Sequence, residues 1–254
     1  MKERMKPYIL EACVDSVEST IAAARGGADR LELCGALVIG GLTPGPSLFR
    51  QVRKACDIPI HVLVRPRYGD FLYTEAEFEI LLSEVEELCR LGADGIVTGC
   101  LRADGTLDTE RMEQVRERMG QKHLAIHRAF DMCRDPYAAL EEAVSLGVDT
   151  ILTSGQKDNC RLGAPLLREL VRQADGQLDI LVGGGVTGEN IAGLLKETGA
   201  KSFHMSGKII ADSGMVYRKE DVHMGIGGMG EYGIIRTSEE QIRQAVKVLE
   251  QCGA

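Results

Sequence analysis

A (β/α)8 barrel in a single domain, residues 1–254, is the α/β fold class that this sequence predicts, on three observations. Short apolar runs alternate with helical patterns from end to end, and eight such pairs fit a barrel of about 250 residues. One phrase recurs where helices stop: GGAD (26–29), LGAD (91–94), LGVD (146–149) and TGAK (198–201). Each sets a glycine just past the helix, then a small residue, then the strand, which is the chemistry of an αβ loop. No GxGxxG follows the first strand, which disfavours the runner-up, an open doubly wound sheet.

The elements follow in order. Strand 1 (8–14) alternates Tyr8, Leu10 and Ala12 with Ile9, Glu11 and Cys13, and a helix is expected over 16–26. Strand 2 (30–35) sets Leu31 and Leu33 against Glu32 and Cys34, before a helix at 47–55. Strand 3 (58–66) sets Ile60, Val62 and Val64 against His61, Leu63, Arg65 and, just beyond, Arg67. The helix at 75–90 has apolar residues at helical spacing, Thr74 as N-cap and Gly92 as its stop. Strand 4 (95–101) offers Ile96, Thr98 and Cys100, with a helix at 109–119. Strand 5 (123–130) sets Leu124, Ile126 and Arg128 against His127, Ala129 and, past its end, Asp131, and a helix follows at 136–146. Strands 6 (150–155) and 7 (178–183) precede helices at 164–174 and 188–197. Strand 8 (202–207) sets Phe203 and Met205 against His204 and Ser206. The glycine-rich stretch 208–236 reads as an irregular loop over one barrel face, before a last helix at 237–251.

In five strands the polar residues share one parity, opposite large apolar ones. Strand side chains alternate between faces, so the apolar set meets the helices and the polar set lines the barrel. Those polar residues also sit toward the strand C-termini, where such barrels build their sites. Buried charges of this kind must pair with one another or with a ligand. Arg128, of opposite parity to His127, reads as a buttress bonded to loop carbonyls or Asp131.

Composition narrows the function. Hydrophobic residues make up 44% and charged residues 27%, Trp is absent, and the net charge is −8 with no basic tract. Nucleic-acid binding is disfavoured. No apolar run approaches the roughly 20 residues of a membrane span, and the N-terminus MKERMKPYIL lacks the apolar core of a signal peptide. A cytoplasmic location is expected, with the eight cysteines mostly reduced. None are spaced as CxxC, which disfavours a structural zinc site.

Three chemistries fit the strand ends. An anion seat draws on Arg65, Arg67, Gly184, Gly185, His204 and Ser206, because loops after strands 7 and 8 of such barrels often hold phosphate. Acid–base catalysis on an anionic or phosphorylated small molecule, of isomerase, epimerase or lyase type, draws on Glu11, Glu32, His61 and His127. Metal binding draws on the matched pairs Glu11-x-Cys13 and Glu32-x-Cys34 on neighbouring strands about 4.8 Å apart. Two thiolates converging there suit a soft ion such as Cu(I).

The stretches GADRLELC (27–34), GGLTP (40–44), RPRYGDFLY (65–73), HRAFDM (127–132), LTSGQ (152–156) and DSGMVYR (212–218) resemble the CutC copper homeostasis family across nearly the whole chain. The resemblance implies a TIM-type barrel, a cytoplasmic homo-oligomer and a role in copper handling. It also implies Cu(I) ligation by Cys13 and Cys34, which match the cysteines proposed as ligands in the family. Three positions depart from the family pattern: Ile39 stands where a glutamate is usual, Gly45 for a serine and Tyr68 for a glycine. Whether the chain is an enzyme stays open on these residues.

Overall fold

The computed structural model describes residues 7–219, 221–222, 224–225 and 230–253. Among these, eight parallel strands close into a barrel in chain order: β1 (Ile9–Val14), β2 (Arg30–Leu33), β3 (Ile60–Leu63), β4 (Gly95–Thr98), β5 (His123–Ile126), β6 (Thr150–Thr153), β7 (Asp179–Val182) and β8 (Ser202–Met205). β8 pairs with β1, so no barrel edge is left open. The surrounding helices are α1 (Val17–Gly26), α2 (Pro46–Ala55), α3 (Glu75–Leu91), α4 (Thr109–Met119), α5 (Pro136–Ser145), α6 (Ala164–Ala174), α7 (Ile191–Thr198) and α8 (Glu239–Cys252). The predicted (β/α)8 class holds.

Local chemistry explains the element ends. Ser16, Thr74, Asp108, Asp135 and Ser238 cap helices by accepting from N–H groups two or three residues inside them. At Thr74 the Glu77 carboxylate answers back, completing a capping box. In the repeated helix-end phrase, Gly92 takes φ 97°, a conformation that glycine enters without strain. The aspartates of that phrase have a second task. Asp29, Asp94 and Asp149 each accept, through the carboxylate, the backbone N–H of the preceding strand at Leu10, Ile60 and Leu124 (2.8–2.9 Å). In these three units the phrase stitches one strand to the next at the N-terminal end of the barrel.

The core has two compartments. Leu10, Leu31, Ile60, Ile96, Leu124 and Phe203 face outward and are buried against the helices. Inside the barrel a small apolar cluster of Cys13, Cys34, Leu63, Val97 and Ala125 remains, with Leu152 beside the cavity. Much of the rest of the interior is polar. Gly95 makes room for it: a Cβ there would lie 2.7 Å from His61 Cδ2 and 2.9 Å from the His123 carbonyl, whose rings pack 4.4 Å apart. A Gly95→Ala variant is expected to lose about 1–3 kcal/mol. That corresponds to roughly 2–4 °C in Tm per kcal/mol for a chain of this size. An unchanged Tm in a thermal scan would show that the histidine layer can shift.

Three expectations are corrected. β3 ends at Leu63, so Arg65 and Arg67 are loop residues and not part of an inward strand face. β5 ends at Ile126, because the His127 imidazole accepts the Ala129 N–H and turns the chain into a 3-10 helix (Arg128–Met132). Ala129 and Asp131 thus leave the strand alternation. The stretch 208–236 is not wholly irregular: β9 (Lys208–Asp212) and β10 (Gly233–Thr237) form an antiparallel ribbon, tied to α1 where Thr237 N–H donates to Ser19 Oγ. Much of the run MGIGGMG (224–230) lies outside the described residues.

Candidate functional site at the barrel mouth

The site grows from the register of β8, β1 and β2. Glu11 pairs across to Arg30 and His204, and Cys13 to Glu32. Parallel neighbours lie about 4.8 Å apart, so these side chains meet inside the barrel. Glu11, only 1% exposed, accepts from Arg30 Nε (2.5 Å) and His204 Nδ1 (2.8 Å), with His61 Nδ1 at 3.9 Å. His204 Nε2 stands 3.7 Å from Glu32 Oε2, which accepts from the Cys13 thiol at 3.2 Å. The Cys13 and Cys34 sulfurs are 3.8 Å apart. One continuous chain of contacts therefore runs Arg30–Glu11–His204–Glu32–Cys13–Cys34. One donor atom each from Cys13, Glu32 and His204 lie within 4.8 Å of one another, close enough to share a metal ion.

Electrostatics differentiate these groups. Burial opposes the Glu11 charge, but the Arg30 guanidinium and the His204 ring overcome it and hold the carboxyl well below the usual carboxylate range. Burial pushes Glu32 up, with the charge on Glu11 adding to it against the pull of His204. Burial works against a charged His204, yet Glu32 and Glu11 keep it proton-bearing above the usual histidine value. The hydrogen bond to Cys34, then burial, raise the Cys13 thiol far above its ordinary value.

A cavity of about 130 Å³ opens beside this chain, with Cys13, Glu32 and His204 on one side and Arg65, His127 and Phe71 among its other walls. Arg65 is anchored by backbone carbonyls of Gly41 (3.2 Å) and Gly69 (2.7 Å), and its guanidinium lies over the Phe71 ring at 5.0 Å. Phe71 in turn packs on His127 at 4.7 Å. His61 and His127 are both pushed down to about 3, by burial first and then by the charges of Arg30 and Arg65 respectively.

Those two histidines carry a stability consequence. The unfolded chain takes up protons below about 6.5 while the folded rings stay neutral, so stability falls as pH drops from about 6.5 toward 3. Glu32, whose value is raised, works against that slope just above 4.5. Tm is expected to drop between pH 6.5 and about 4, and a His127→Gln variant to show a shallower drop. Equal slopes would contradict the neutral buried ring.

The predicted site residues separate accordingly. Glu11, Glu32, Cys13, Cys34 and His204 come together, and Arg65 and His127 face the same cavity. His61 lies against Glu11 and His123 and does not line the cavity. Arg67 is held by Glu77 (2.7 Å), Asp70 (2.8 Å) and the Leu72 carbonyl (2.7 Å), so its charge is spent on its own loop. Gly184 and Ser206 lie outside the cavity lining, and Gly185 borders a separate open groove with Arg161 and Glu189. Sequence reasoning missed Arg30, the counter-ion of Glu11. Its signal was present, since Arg30 shares the inward parity of Glu32 and Cys34.

A profile described as the CutC family matches residues 8–209. The chain belongs to the CutC family. It is 46% identical over 222 residues to a CutC family protein of Bacteroides fragilis (strain YCH46), covering 87% of this chain and 88% of that one. It is 40% identical over 237 residues to the human copper homeostasis protein cutC homolog, covering 93% and 87%. The solved CutC structure from Streptococcus agalactiae superposes with a TM-score of 0.75 at 29% identity, over 78% of this chain and 98% of that one. A thiamine phosphate pyrophosphorylase from Pyrococcus furiosus, at 18% identity, TM-score 0.57 and 97% of each chain, shows the shared fold alone.

The CutC marker stretches HRAFDM and LTSGQ meet in one clamp. Asp131 accepts from Arg128 Nε (2.6 Å), Thr153 Oγ1 (2.5 Å) and the N–H groups of Ser154 and Gln156 (3.0–3.1 Å). Arg128 also donates to Ser154 Oγ and the Lys157 carbonyl, as expected of a buttress. The clamp fixes the loops after β5 and β6 beside His127. The departures from the CutC pattern flank the mouth without lining the cavity: Ile39 is half-buried, Gly45 exposed, and Tyr68 68% exposed.

Proposed function

We propose that this CutC-family barrel binds Cu(I) through the thiolates of Cys13 and Cys34, as a cytoplasmic copper-handling protein that self-associates. The observation that carries the reading is the 3.8 Å spacing of the two sulfurs at the ends of β1 and β2. Two sulfurs sharing one ion at bonds of about 2.3 Å and tetrahedral angles stand roughly 3.8 Å apart. The donor set fits a soft ion: two thiols, with the Glu32 carboxylate and the His204 imidazole beside Cys13.

The protons on these thiols set a test. Cys13 is held protonated by its bond to Cys34 and by burial, so binding must expel protons. Cu(I) affinity is expected to rise by about one to two orders of magnitude per pH unit, for one or two protons released. Competition against a Cu(I) chelator at several pH values measures it. A flat affinity would contradict thiolate ligation.

A second reading rests on the chain Glu11–His204–Glu32. Glu11 fixes the His204 ring through Nδ1, leaving Nε2 facing Glu32. A carboxylate-oriented imidazole beside a second carboxyl suits acid–base chemistry, such as moving a proton on carbon in a small molecule. Incubation with small carboxylic acids in D2O, followed by NMR, reads such exchange. No exchange in any of them would remove the support for this reading.

A further inference from the structure

Two residues that line the cavity each carry a buried donor left unsatisfied among the described residues. Arg65 Nε and His127 Nε2 have no hydrogen-bond partner there, and their residues are only 8% and 5% exposed. Such groups are rare in folded proteins, and a bound acceptor would remove the cost of burying them bare.

Both are held in place by their other atoms. Arg65 Nη1 donates to the carbonyls of Gly40 and Gly41 and Nη2 to that of Gly69, which orients the guanidinium and leaves Nε as its nitrogen without a partner among the described residues. His127 Nδ1 accepts the Ala129 N–H, so the proton of the neutral ring sits on Nε2. Phe71 lies between both side chains, under the Arg65 guanidinium and tilted against the His127 ring. Neither arrangement serves the thiol pair.

We propose that this cavity seats a small carboxylate, whose two oxygens accept from Arg65 Nε–H and His127 Nε2–H and whose remainder faces Cys13, Glu32 and His204. The number of donors selects the class. Two N–H groups left without partners match the two oxygens of a carboxylate head, while a phosphate carries more acceptors. The apolar flanks Leu37, Leu63 and Leu152 suit a short hydrocarbon remainder. The inference deepens the acid–base reading, on which it rests for its purpose, by naming the substrate class.

The test is calorimetric titration of the metal-free full chain with pyruvate, lactate, methyl pyruvate, inorganic phosphate and sulfate. Pyruvate or lactate is expected to bind, with methyl pyruvate, phosphate and sulfate at least roughly tenfold weaker. His127→Ser keeps a side-chain oxygen for the Ala129 N–H but removes the ring donor, and Arg65→Lys keeps the charge but removes Nε. Each is expected to weaken carboxylate binding by roughly tenfold. No binding of either carboxylate, equal binding of methyl pyruvate or phosphate, or unchanged binding in both variants would overturn the seat. The ester and phosphate arms use the wild-type chain, so the outcome does not depend on a variant folding. A carboxylate that binds without exchanging a carbon-bound proton in D2O keeps the seat and removes the acid–base reading. Exchange in a neutral ester that binds as well as the acid does the reverse.

Discussion

Replacing Cys13 and Cys34 together by serine is expected to lower Cu(I) affinity by about three orders of magnitude or more. A structural metal held by thiolates is bound with on the order of 10–16 kcal/mol, and two hydroxyls offer a soft ion almost none of it. The fold should survive. Serine is close in size to cysteine, and both positions already have an acceptor at hand: Glu32 Oε2 for residue 13 and the Val14 carbonyl for residue 34. Stability should change by only about 1 kcal/mol. Competition titration paired with thermal unfolding separates the two effects. A double variant that binds as tightly as wild type would move the metal away from β1 and β2.

The largest expected loss of stability is at Arg30. In an Arg30→Leu variant, Glu11 stays buried and ionised with only the histidines beside it. Removing one partner of a buried ion pair costs about 3–5 kcal/mol. At roughly 2–4 °C per kcal/mol, Tm should fall by roughly 6–20 °C. The companion variant Glu11→Leu/Arg30→Met removes both charges and is expected to recover part of the loss. Urea unfolding of the two variants measures this. If Arg30→Leu matches wild type, or the double variant is the less stable of the two, the Arg30–Glu11 pair is not what keeps the interior neutral.

Much of the wall was legible because parallel strands with both faces buried still alternate. Leu10 against Glu11, Leu31 against Glu32 and Phe203 against His204 already separate the helix side from the interior, and the barrel obeys that division. The helix-end phrase was legible because left-handed glycines and strand entries need particular residues. The limits lay where side chains far apart in sequence decide. Strand 5 stops at Ile126 because the His127 ring bonds the Ala129 N–H, which parity does not reveal. Arg67 looked like a ligand for an anion until the capping-box glutamate, Glu77, and Asp70 were found to occupy it. The β9–β10 ribbon was hidden because the glycines and turn residues that connect its strands dominate the pattern of the segment.

The candidate site divides in the same way. Register brings Cys13, Glu32 and His204 together; inward parity of β1, β2 and β8 marked each of them, while their grouping as one donor set depends on the register between strands. The cavity beside them depends on Phe71 and on loop carbonyls at Gly41 and Gly69, which no periodicity places.

X-ray absorption at the copper edge of the Cu(I)-loaded wild-type protein bears most directly on the thiol pair. Two sulfur neighbours on each bound copper are expected from Cys13 and Cys34, both lost in the Cys13→Ser/Cys34→Ser variant. A first shell of nitrogen and oxygen only, or a sulfur shell that persists in the variant, would contradict it.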